Sequence, residues 1–178
     1  MISNQKGLAM KIKVGSFQIS SSKVIVTDPC YSIGIWCQGI IPSVKNGTWL
    51  ASVLQTKIEG WGDRNTSLIV THQDYPDADP ARLAEFEVGV DSGQAGIFDL
   101  KSYPDDDNHG KYNDESSFYG NACSITLNTA NSAGTLYDTG VVSRSGFGDG
   151  GYNCYTASND AGEVVAIRIV FIPEYDEE

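Results

Sequence analysis

Three short segments set an aspartate beside residues of special backbone geometry. They are Thr27-Asp28-Pro29-Cys30-Tyr31, the stretch 90–99 around Asp91-Ser92-Gly93, and the stretch 145–152, where Asp149 stands between Gly148 and Gly150. Proline fixes the chain direction, and glycine lets another backbone or a ligand come close. An aspartate in such a place caps a turn, holds a cation or acts as a base. Asp-Pro and Gly-Asp-Gly-Gly are good turn chemistry, so one reading leaves each aspartate to its own turn. The sharper expectation is that the three loops meet in one pocket shared with Arg168, with Asp149 as the key polar group.

Cations are scarce: 12 Lys and Arg against 23 Asp and Glu, a formal charge of -11. Arg64 follows Trp61-Gly62-Asp63, Arg144 precedes the glycine-rich loop, and Arg168 interrupts the apolar run 164–171. Together with Ser92 and the rings of Tyr31, Trp61, Phe147 and Tyr152, they would frame a site for a small anionic or nucleotide-like ligand. The alternative pairs Arg64 and Arg144 with neighbouring surface aspartates.

Familiar catalytic patterns fail. His72 near Asp74 would be a base, or a strand-end histidine. His109 lies in an Asp-rich run, which reads as solvated because it lacks the glycine and glutamate spacing of a calcium loop. Ser92 has no nucleophile elbow around it, and Cys30 and Cys154 have no nearby histidine. The glycine-rich loop sits between strands, so no helix start cradles a phosphate there. The four cysteines form no CxxC pair and read as free thiols. No cofactor and no bound metal are expected.

Those residues must be carried by strands. The 178 residues contain 19 glycines, and turn residues break up short runs of Val, Ile, Tyr and Phe. That pattern predicts one β-rich α+β domain over 10–173, built as an antiparallel sandwich or partly open barrel. A loose extension is expected over 1–9 and an acidic tail over 174–178. Segments 14–20 and 23–27 read as a hairpin, 31–37 as a helical turn, and 136–143 as one strand. The run 164–171 reads as a central strand covered on both faces. One helix is expected over 113–127, capped by Asn113 or Asp114, with Phe118, Ala122 and Ile125 on its apolar face and Gly120 weakening it.

The high negative charge argues against nucleic acid and anionic membrane as partners. No apolar run is long enough to span a bilayer, and no signal peptide is seen at the start. A cytoplasmic setting is the expectation.

The order of motifs resembles a bacterial and phage family, the domain of unknown function 4241. Its DPCY-like element, tryptophan strand, VDSGxxGxF segment, aromatic–Cys helix and GxGDGxY segment fall on 28–31, Trp49, 90–98, 118–123 and 146–152. The resemblance implies a prokaryotic or phage accessory protein and implies no activity. The residues themselves suggest non-catalytic binding of a small molecule, nucleotide-like or otherwise, or of a partner protein. The alternative is a metal-assisted hydrolase built on Asp28, Asp91 and Asp149.

Overall fold

A computed structural model describes residues 7–105 and 110–174. His109 and most of the acidic tail lie outside these residues. Among the described residues, eleven strands form two antiparallel sheets. The larger sheet has the order β1 (Met10–Ile19), β4 (Gly47–Ile58), β5 (Gly62–His72), β11 (Val164–Val170), β10 (Gly150–Ser158), β6 (Arg82–Val90). The smaller runs β3 (Gly39–Ile41), β2 (Val24–Thr27), β7 (Gln94–Asp99), β9 (Gly140–Arg144), β8 (Ala133–Leu136). Among the described residues the fold is the expected β-rich sandwich, with one α-helix, α1 (Phe118–Asn128), and no closed barrel.

Alternation along the strands builds two cores. Trp49, Ala51 and Val53 of β4, Leu68 and Val70 of β5, and Ile167 and Ile169 of β11 face Val24, Val26, Ile97 and Val141 of the smaller sheet. The opposite faces of β2, β7 and β9 present Ile25, Phe98 and Val142 to a second cluster with Ala122 and Tyr103, against which Phe118 and Ile125 also pack. Strands β2, β7 and β9 are therefore apolar on both sides and lie in the middle of three layers.

Four expected elements are placed differently. The segments read as a hairpin lie in different sheets: β1 pairs with β4, whereas β2 pairs with β3 and β7. Buried Asp99 accepts from Ser20 N and Ser20 Oγ at 3.0 Å and from Ser21 Oγ, pinning the crossing. The segment 136–143 is a β8–β9 hairpin, turning at Tyr137 and Asp138 with positive φ. Segment 31–37 forms turns rather than a helix. The strand β11 is covered on one face only. On the other, Arg168 lies opposite Ile69 and Tyr155, its Nε donates to Ser67 Oγ at 3.0 Å, and Nη2 is 4.0 Å from Glu174.

The helix starts later than its acidic run suggests. Ser117 is the cap, its Oγ accepting from Gly120 N at 3.0 Å. Asp114 instead closes a turn on Ser116, through N at 3.1 Å and Oγ at 2.6 Å. These bonds hold the Asp114 carboxyl below its usual range. Gly120 is a necessity rather than a weakness, because the Asp114 carbonyl occupies the space a Cβ would need.

Candidate functional site

The three aspartate loops meet. Asp28 at the end of β2 is fully buried, and its carboxylate accepts four hydrogen bonds. Oδ1 takes Cys30 N at 2.8 Å and Ser92 Oγ at 2.6 Å. Oδ2 takes Asp91 N at 2.8 Å and Ser92 N at 2.7 Å. Across the same turn, Gly93 N donates to Asp149 Oδ1 at 2.9 Å, and Ser145 N donates to Gly93 O at 3.1 Å. The Ser92-Gly93 corner between β6 and β7 is thus held from two sides. Asp28 is the clamp, with both oxygens engaged inside the protein.

The 145–152 loop is equally fixed. Gly148 N donates to Ser145 O at 3.0 Å, and Ser145 Oγ donates to Gly148 O at 2.7 Å. Tyr152 OH bonds both carbonyls, so its hydroxyl locks the loop from inside, and its ring packs edge-on against Phe171. Burial, with Asp149 adding to it, raises the Tyr152 hydroxyl pKa. Gly146 has φ +62°, and a Cβ there would meet Ile172 Cγ1 at 2.8 Å.

Beside this corner an open groove of about 580 Å³ runs along the seam between β6 and the turns before β3. Its floor includes Gly89, Gly150 and Gly151, its walls Tyr31, Ile35, Trp36 and Cys37, and its rim the carboxylates of Glu87, Asp91 and Asp149. Gly89 N donates to Cys37 O at 2.8 Å, and a Cβ at Gly89 would meet Cys37 Cβ at 2.6 Å. The glycine therefore lets the two sheets close here. Trp36 is 93% exposed. Tyr31 OH donates to Asp91 Oδ2 at 2.6 Å, and that carboxylate pushes the phenol pKa well up. Among the described residues no Lys, Arg or His pairs with Glu87, Asp91 or Asp149.

The remaining predicted residues go elsewhere. Trp61, Arg64, Arg144 and Phe147 gather on the other side of the 145–148 turn. Trp61 and Phe147 meet edge-to-face at 5.0 Å, and the Arg64 guanidinium lies 5.7 Å from the Trp61 ring. Both arginines line a separate notch with Asn65 and Gly146. Neither pairs with a carboxylate among the described residues. Arg168 joins neither group, since it stands on the open face of the larger sheet.

Chemistry by thiolate or imidazole finds little support in this geometry. Burial, then the Asp28 carboxylate, raises the Cys30 pKa, and burial pushes Cys154 up to about 12. His72 is buried, with Nε2 donating to Asn46 O at 2.9 Å and Nδ1 accepting from Asp74 N at 3.1 Å. Both ring nitrogens are therefore engaged within the fold. Among the described residues no three His, Cys, Asp or Glu side chains gather to hold a metal ion.

Sequence reading missed Trp36, Glu87 and the Gly89–Cys37 closure. The alternation of Glu85 and Glu87 along β6 was the available signal for the rim. Nothing local indicated that Trp36 would stand beside it.

Residues 17–169 match the family model described as "Protein of unknown function (DUF4241)". No curated protein and no solved structure matches the chain.

Proposed function

The chain belongs to the DUF4241 family, and we propose that it is a non-catalytic binding protein whose groove at the β6 seam takes a cationic group. The carrying observation is the rim itself: Glu87, Asp91 and Asp149 line one groove without a cationic partner among the described residues. Asp91 Oδ1 and Asp149 Oδ2 remain open to a ligand, their other oxygens being held by Tyr31 and Gly93. Trp36 and Tyr31 add aromatic faces, which attract ammonium and guanidinium groups. The occupant is a small amine or a basic side chain of a partner protein. The arginines of the expected anionic pocket stand outside this groove, so the groove itself is read as a site for a cation. It supplies no nucleophile and no turnover. The four free thiols favour a reducing compartment such as the cytoplasm.

Agmatine, spermidine and a short arginine-containing peptide serve as probes, with the Trp36 indole resonance as readout. Saturable movement of that resonance is expected, with Kd weakened about tenfold by Glu87→Gln or Asp91→Asn, equal to about 1.4 kcal/mol each. Added salt should weaken binding further. Cationic probes that leave Trp36 unmoved, or bind both variants as tightly as the parent, would refute the reading.

A further inference from the structure

The turn 145–148 has a second side. We propose that the notch between Arg64 and Arg144, with the Trp61 and Phe147 rings beside it, is a separate binding site for a free nucleoside monophosphate or a similarly planar phosphate ester. The site is built from the hairpin end of β4–β5, the start of β8 and the end of β9. Its lining includes Gln55, Asn65 and Ser132.

Two observations point to an anion. The chain carries 23 carboxylates and a charge of -11, yet neither arginine is paired with a carboxylate among the described residues. Asp63 lines the same notch without forming an ion pair with either. Among the described residues, the Arg64 guanidinium makes one hydrogen bond, from Nη1 to the Asp63 carbonyl at 3.2 Å, which leaves most of its fork for a ligand. The floor is rigid. Asn65 is 3% exposed, and its Nδ2 donates to Asn131 O at 2.8 Å and Ser143 Oγ at 3.0 Å. Its Oδ1 accepts from Gln55 Nε2 at 3.1 Å.

The size and rings narrow the class. The notch holds about 20 Å³, room for one oxygen atom of a phosphate and not for the whole ligand. The remainder must lie over the rim, where Trp61 and Phe147 are 55% and 51% exposed. Their mutual edge-to-face contact and the braced turn beneath Phe147 present ring surface without movement, which suits stacking with a flat group. A long polyanion would be repelled by the net charge, so the ligand is a free one.

The test is titration of the intact protein with adenosine monophosphate, inorganic phosphate and adenosine, followed at the Trp61 and Trp36 indole resonances. The expected result is saturable movement of Trp61 by the monophosphate, weaker competing binding of phosphate, and no response to adenosine. Arg144→Gln and Arg64→Gln should each weaken the monophosphate at least tenfold at the Trp61 resonance, and Trp61→Leu, which lacks that resonance, likewise by calorimetry. Both Arg144 and Trp61 are exposed, and an unchanged amide spectrum verifies the fold. The proposal is overturned if Trp61 is silent, if the monophosphate moves Trp36 instead, if Arg144→Gln binds as the parent does, or if an oligonucleotide binds more tightly than the mononucleotide. Because Trp36 reports the acidic groove, failure here is distinct from failure there.

Discussion

Replacing Asp28 by asparagine separates a structural clamp from a ligand-facing acid. The amide offers one oxygen and one NH2 group. If the NH2 faced Asp91 N and Ser92 N, two backbone donors would meet a donor. The cheaper orientation turns it toward Cys30 N and Ser92 Oγ, because the hydroxyl can rotate to accept. One buried backbone N–H is then orphaned, costing about 1–3 kcal/mol, and the surviving bonds lose their ionic partner at about 1 kcal/mol each. The sum is about 3–5 kcal/mol, against a total stability of about 5–15 kcal/mol for a domain. With a urea slope of about 2 kcal/mol/M, the unfolding midpoint should fall by about 1.5–2.5 M. Asp149→Asn is the contrast, since its single exposed bond from Gly93 N survives on the amide oxygen. That variant should stay within about 1 kcal/mol of the parent. Asp28→Asn losing less than about 1 kcal/mol, or no more than Asp149→Asn, would refute the clamp.

Gly89→Ala should destabilise by about 1–3 kcal/mol in urea titration, because its Cβ would meet Cys37 Sγ at 2.7 Å and part the seam. Thiol labelling in the folded state should be slow at Cys154 and Cys30, whose pKa values burial raises, while unfolding without reductant should release all four thiols. Alkaline pH should destabilise the fold. Tyr103 and Cys154 are raised above ordinary values of 10.0 and 9.0, so the folded state keeps protons that the unfolded chain loses. Melting temperature should accordingly fall as pH climbs past about 9–10, without a matching loss between pH 7 and 8.

Most of the strands were legible because Val and Ile alternation marks them in any context. The crossing at Ser21-Ser22 was not, since a serine turn looks the same in a hairpin and between sheets. What decides it is Asp99, 78 residues away. That the aspartate loops meet was an expectation their own residues could not establish, and the role of Asp28 was not legible. A cap and a ligand differ in how many donors reach the carboxylate, and three of those at Asp28 come from Asp91 and Ser92. Arg168 misled for another reason. Ala166 and Ser67 on the open face are 0% exposed, so the burial of a strand residue does not by itself reveal a covering layer. The helix existed as expected, but an acidic run offers several caps, and only the packing of Gly120 selects Ser117.

The two sheets also touch at both seams. Gly89 N reaches Cys37 O at one, and at the other Gln18 N reaches Asp138 O at 2.8 Å, with Thr135 filling the space beside Gly15. The outer strands β1 and β6 thus each have one amide, that of Gln18 and that of Gly89, engaged by the other sheet. Strand-swapped dimers and fibril templating both begin at unguarded borders. Each closure takes up one amide of a border that a second copy could otherwise extend.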